Sequence, residues 1–272
     1  MHEDITKLDD IPAKVQIMLQ EGFLSNNRVE MIGYSLTNYL SDILDNKIQT
    51  LTLQVTQQCN LRCEYCIYFG SYTTRRHSNK VMDFLTAKKG IDFLISHSQN
   101  SKLLNLGFYG GELSLEFDLI KEFIKYIQEK AEGKKITYNI TSNATLLNKD
   151  HIAFFAENDV ALTISLDGPK DIHNKNRKFA VSWKGTFDVI VEKMKIVKEK
   201  FPEYYSRINF NCMLDPRSDI SCVNEFWAKD ELLKDSFVNA NPELFTVIRF
   251  TVVSVAFGFE TIYNPSISRQ IG

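Results

Sequence analysis

Between residues 50 and 214 the chain switches repeatedly between two hydrophobic periods, and this limits its folding more than any other feature. "TLTLQVT" (50–56), "LLNLGFY" (103–109), "ITYNIT" (136–141), "VALTISL" (160–166) and "RINFNCML" (207–214) alternate as strands do. The intervening stretches carry apolar residues at helical spacing. Leu85, Ile91, Leu94 and Ile95 form a rough stripe, and Ile120, Phe123, Ile124 and Ile127 a regular one. Phe187, Ile190, Val191, Met194 and Val197 make a third face, behind Thr186 as predicted N-cap. Strand–helix alternation requires parallel strands joined by right-handed crossovers. A sixth strand is expected near 246–256, inside "FTVIRFTVVSVAFGF". That stretch is shorter than the roughly 20 residues of a membrane span, and Arg249 interrupts it. The predicted fold class is α/β, a partial (β/α)6 TIM-like barrel with a short N-terminal helical segment. A full eight-unit barrel would need about 250 residues by itself; a doubly wound open sheet is the alternative. The expected division is 1–49 helical segment, 50–256 barrel and 257–272 tail. Ser35 and Asn38 offer start signals for a helix in the first part.

In either sheet architecture, ligands sit at the carboxyl ends of the strands. The loops there are where this sequence becomes unusual. Three of its five cysteines, Cys59, Cys63 and Cys66, fall in "QQCNLRCEYCIYFG" (57–70), directly after the first strand. The first twenty residues are acidic and lack the pattern of a signal peptide. A cytoplasmic setting is therefore expected, where thiols stay reduced and such a cluster points to a metal or cofactor. A net charge of −2 gives no footprint for nucleic acid or a membrane surface. Structural zinc needs four ligands, and a cubane iron–sulfur cluster usually takes four thiolates. Three thiols leave one metal position open unless Cys212, Cys222 or His77 supplies a fourth ligand. Spacing alone leaves structural zinc, or incidental cysteines, as readings. Tyr65 adds an aromatic face beside the cysteines.

The loops after the next strands add polar groups. In "FYGGEL" (108–113), Gly110 and Gly111 permit close backbone approach, and Glu112 can accept hydrogen bonds from an ammonium group. "TSNATLL" (141–147) presents Ser142 and Asn143, residue types that also cap helices. "SLDGP" (165–169) places Ser165 and Asp167 at a strand end, and Arg177 in "HNKNR" is suited to pairing with a carboxylate. A simple turn solvated by His173 and Arg177 is the other reading. The charged segment 73–82 reads as a solvated loop, in which His77 and Lys80 could close over an anionic or peptide substrate. Cys212 on the fifth strand reads as a buried apolar residue.

"CNLRCEYC" resembles the signature of the radical S-adenosylmethionine (radical SAM) enzymes, with an aromatic residue just before the third cysteine. The resemblance implies a partial barrel in which Cys59, Cys63 and Cys66 ligate a [4Fe–4S] cluster and SAM chelates the fourth iron. Reductive cleavage of SAM to methionine and a 5′-deoxyadenosyl radical is the implied activity. By the same resemblance, Tyr65 flanks the adenine, and Gly110, Gly111 and Glu112 receive the SAM amine. Ser142, Ser165 and Arg177 complete the implied cofactor-binding set. Leu113 replaces a common proline, Ala144 the usual glycine, and Asn174 a common aspartate; a positive φ at Ala144 would be strained. The ordered motifs of residues 50–215 look like peptide maturases near the anaerobic sulfatase-maturase branch, including ones acting on cysteine-rich precursors. The implied partners are a ribosomally made precursor peptide, with thioether crosslinking as one modification, and an electron donor such as flavodoxin or ferredoxin. No cysteine follows Cys222, so the auxiliary-cluster (SPASM) extension of such maturases is not expected, and 49 residues are too few for a full winged helix. The alternatives are a non-catalytic cluster- or peptide-binding protein and a radical SAM enzyme acting on a small molecule.

Overall fold

The computed structural model describes residues 13–21, 36–69, 76–131, 133–215 and 218–242. Ahead of the sheet lie α1 (Ala13–Gln20), a 3-10 turn (Thr37–Tyr39) and α2 (Leu40–Asn46). Asn38 sits inside that turn, and α2 starts without a side-chain cap. Ser35 lies outside the described residues.

The alternation of periods appears as β1 (Thr50–Thr56), α3 (Phe84–Ser96) and β2 (Leu103–Gly110). A 3-10 turn (Leu113–Glu116) then leads into α4 (Phe117–Lys130), β3 (Lys135–Ser142), α5 (Lys149–Glu157) and β4 (Val160–Ser165). Next come α6 (Lys170–Asn176), α7 (Phe187–Lys200), α8 (Pro202–Tyr205) and β5 (Asn209–Leu214). The described chain ends with α9 (Ile220–Lys229) and β6 (Phe237–Pro242). All neighbouring strands pair in parallel, in the order β1-β2-β3-β4-β5-β6. A doubly wound sheet reverses its order at a switch point; this one runs in a single direction, as the arc of a partial barrel does. No described helix is long and apolar enough to cross a membrane.

The sixth strand is Phe237–Pro242, ahead of the stretch 246–256 where it was expected; that stretch lies outside the described residues. That a strand forms at 237–242, where none was expected, has a physical basis. β6 pairs with only β5 among the described strands, so it needs little apolar character, and Phe237 is 64% exposed. Its pairing is helped by Asn241, whose Nδ2 donates to Asn211 Oδ1 at 2.8 Å.

The core lies between the sheet and its helices. Ile120, Phe123, Ile124 and Ile127 of α4 are all buried, as their spacing predicts. On α3 the buried face is Ala87, Ile91 and Leu94, while Leu85 is 67% exposed. Leu85 precedes Ile91 by six residues, which turns it about 240° away at 3.6 residues per turn. Phe123 is fully buried, with its ring 6.1 Å from Phe84 and 6.5 Å from Phe108. Truncating it leaves a cavity against the sheet. Phe123→Ala is expected to lower unfolding free energy by about 3–5 kcal/mol, measured by urea denaturation.

Candidate functional site

The cysteine loop leaves β1 and has little regular structure of its own. Its backbone is tied down on both sides. Gly111 N donates to Thr56 O at 2.9 Å, and Glu112 N to Gln58 O at 2.8 Å. Opposite, Arg62 N donates to Lys178 O at 2.9 Å, Ala180 N to Asn60 O at 2.8 Å and Glu64 N to Asn176 O at 3.2 Å. The glycines of "GGE" make the first contact possible. A Cβ on Gly111 would stand 1.8 Å from the Gln58 carbonyl oxygen, and Gly110 has a φ of +144°. What the two glycines approach in this structure is the cysteine loop itself.

Glu112 is completely buried. Its Oε1 accepts from Ser114 N at 3.0 Å, Ser114 Oγ at 2.7 Å and Ser142 Oγ at 2.7 Å, and its Oε2 from Asn143 N at 2.8 Å. The carboxylate thus joins the loops after β2 and β3. Ala144 takes a φ of +62°, the left-handed conformation that the sequence marked as strained. It lets Asn143 Oδ1 accept from Thr145 N at 3.0 Å.

On the far side a second carboxylate does similar work. Asp167 is buried and paired with buried Arg177, whose Nε donates to Oδ2 at 2.8 Å and Nη2 to Oδ1 at 3.1 Å. Tyr65 OH donates to Oδ2 at 2.5 Å, and Met213 N to Oδ1 at 3.1 Å. Burial pushes the Asp167 carboxyl up, but Arg177 and Tyr65 outweigh it and hold it below the usual carboxylate range. Arg177, expected to meet a cofactor carboxylate, meets Asp167 instead. Its guanidinium lies 5.3 Å from the centre of the Tyr65 ring.

His173 accepts from Asp167 N at Nδ1 (3.2 Å), which leaves Nε2 to donate to Thr186 Oγ1 at 2.9 Å. Burial, with Arg177 nearby, drives its pKa down to about 3, so the ring is neutral. Thr186 therefore stands at the N-cap position of α7 without capping it; Asn174 Oδ1 accepts from Phe187 N at 3.0 Å instead. Ser165 is buried at the end of β4. His77 Nδ1 lies 3.0 Å from the Gln57 carbonyl, to which it donates, and Lys80 is exposed.

The three cysteines are free thiols. Burial above all raises Cys59 to about 11 and Cys63 to about 12; the charges of Glu112 and Cys66 add to the rise at Cys59, and those of Cys59, Cys66 and Asp167 to the rise at Cys63. Both are protonated at neutral pH, so metal uptake must displace protons. Cys212 is buried on β5 and Cys222 exposed on α9. Among the described residues, no three His, Cys, Asp or Glu side chains converge on a point where one ion could sit. A zinc ion about 2.3 Å from each sulfur requires such convergence, whereas an iron–sulfur cluster spreads its thiolates over separate irons. Three thiols on one loop match the thiolate donors that such a cluster takes.

A radical SAM domain is recognised over residues 53–223, and the chain belongs to the radical SAM superfamily. Proteins of this superfamily use a [4Fe–4S] cluster and SAM. Among relatives, the cysteine-type anaerobic sulfatase-maturating enzyme of Clostridium novyi is 32% identical over 161 residues, covering 58% of this chain and 42% of that one. The serine-type anaerobic sulfatase-maturating enzyme of Bacteroides thetaiotaomicron is 30% identical over 148 residues, covering 54% of this chain and 35% of its own. The chain thus spans less than half the length of these relatives. In fold it resembles a solved structure described as native anSMEcpe with bound AdoMet and Kp18Cys peptide. The TM-score is 0.61 at 22% identity, over 72% of this chain and 51% of the other.

Sequence reading pointed to most of these side chains but not to their partners. Asn60 and Thr145 were missed as site residues; their only signal was a polar residue beside a cysteine and another in the loop after β3. Two outcomes are expected. In Glu112→Gln the amide nitrogen must face a donor, so urea unfolding should show a loss of about 1–3 kcal/mol. Asp167→Asn leaves Arg177 buried without its counter-charge and should cost about 3–5 kcal/mol at pH 7. Because the folded Asp167 pKa is depressed, its contribution is full above the unfolded value of about 3.9 and lost as pH falls through the folded value. The wild-type advantage over Asp167→Asn should therefore shrink in acid, as urea midpoints compared across pH would show.

Proposed function

We propose that the chain is a radical SAM enzyme that modifies a peptide. The observation that carries this reading is a loop of three thiols held at the strand ends by the backbone N–H of Glu112, which donates to Gln58 O, and by the buried carboxylate of Asp167, which accepts from Tyr65. Cys59, Cys63 and Cys66 would hold the cluster, and the open iron would take SAM. Bound together, these groups supply the one-electron cleavage of SAM that yields a 5′-deoxyadenosyl radical.

The chain's own residues prepare that site. Gly110 and Gly111 bring the strand end against the cysteine loop, and Glu112 Oε2, which among the described residues accepts from Asn143 N alone, would offer its other lone pair to the SAM amine. Ser142 orients Glu112 through Oε1. Tyr65 and Ser165 would line the cofactor space, with Tyr65 fixed by Asp167. Arg177 acts through Asp167 as a positioning residue. A peptide substrate is supported by the sulfatase-maturating relatives and by the peptide in the solved structure of similar fold. A cysteine-rich precursor and a thioether product deepen the same reading. Flavodoxin or ferredoxin would supply the electron, in a reducing cytosol that keeps the thiols free.

Anaerobic loading with iron and sulfide, then reduction with SAM present, should release 5′-deoxyadenosine, measured by chromatography. Cys63→Ala should bring release to background. Cluster-loaded wild-type protein that releases none would overturn the reading.

A further inference from the structure

Asn143 stands at the tip of the loop after β3, where a contact with bound ligand would be expected of it. Its side chain is held by groups of the protein itself. Oδ1 accepts from Thr145 N at 3.0 Å and from Thr145 Oγ1 at 2.6 Å. Nδ2 donates to Asn60 Oδ1 at 2.9 Å and lies 3.7 Å from Cys59 Sγ, within hydrogen-bond reach of a sulfur. Asn60 Nδ2 donates in turn to Thr145 Oγ1 at 2.8 Å, which closes a ring of three side chains. The amide cannot be flipped, because a backbone N–H only donates and Thr145 N faces Oδ1. One N–H of Asn143 is thereby aimed at Cys59. A second donor, Leu61 N, lies 3.4 Å from the same sulfur. Among the described residues, no such donor reaches the sulfurs of Cys63 or Cys66.

We propose that Asn143 is a positioning residue that tunes the cluster through Cys59; this rests on the cluster assignment above. An N–H···S bond stabilises negative charge on the thiolate. The reduced cluster carries one more electron than the oxidised one and gains more from that bond, so the bond raises the reduction potential. Asn60 and Thr145 serve by holding the amide in place.

The test uses the anaerobically reconstituted full chain. Asn143→Asp keeps an oxygen for Thr145 N–H and removes the donor facing Cys59; Asn143→Ala removes both. EPR-monitored redox titration should show each variant at lower potential by about a tenfold change in the reduction equilibrium, ~59 mV for one electron. Selective ¹⁵N labelling of asparagine provides a readout that needs no variant potential. With the label confined to the side-chain amide nitrogen, pulsed EPR of the reduced wild-type cluster should show a ¹⁵N coupling through the N–H···S contact that Asn143→Asp abolishes; Asn60 Nδ2, also labelled, donates to Thr145 Oγ1 and not to a sulfur, and the backbone nitrogens, Leu61 included, stay silent. A loaded cluster with no such coupling and an unmoved potential overturns the proposal alone. Failure of the wild type to form a [4Fe–4S] cluster, seen by Mössbauer spectroscopy, overturns the proposal and the functional reading together. If a variant will not hold cluster, the wild-type coupling decides.

Discussion

The ion pair between Asp167 and Arg177 is buried at the heart of the strand-end loops. Removing two charges from water is costly, and such a pair persists only when its remaining hydrogen-bonding capacity is filled. Here it is filled. Tyr65 OH and Met213 N take the carboxylate positions that Arg177 leaves, and the neutral ring of His173 accepts from Asp167 N. Tyr65 sits between Cys63 and Cys66 in sequence, so what fixes Asp167 also fixes the turn that carries two of the thiols.

Glu112 plays the matching part on the other side. Its carboxylate gathers donors from Ser114, Ser142 and Asn143, while its own N–H reaches Gln58 in the cysteine loop. Parallel strands in sequential order set their carboxyl ends side by side, about 4.8 Å apart. Loops from β1, β2, β3 and β4 can then share two carboxylates and behave as one body. That rigidity suits a site whose cofactors supply the reactive chemistry and whose protein supplies orientation.

The fold was largely legible in the sequence. β1 matches its expected bounds of 50–56, and the next four strands lie within a residue or two of theirs, because alternation and helical stripes are local signals. β6 escaped because, among the described strands, it has one neighbour and so little need of apolar side chains. Leu85 was misassigned because apolar identity was given more weight than angular phase on α3. Thr186 has the residue type of a cap, but His173 offered its hydroxyl a buried partner. Of the site, the cysteines, the paired glycines and the strand-end polar residues stood out. Their pairings did not, because Glu112 and Asn143, or Tyr65 and Asp167, are far apart along the chain.

The sequence by itself determined the donor chemistry: three thiols after the first strand, two glycines and a glutamate after the second, and alternating periods that make the strands parallel. Those are local facts of spacing and residue type. Only the tertiary structure decided that Arg177 answers Asp167, that Glu112 joins three loops, and that the amide of Asn143 faces Cys59. Each is a contact across strand ends. Its existence depends on the order of the strands and on the burial that makes an unpaired polar group costly there.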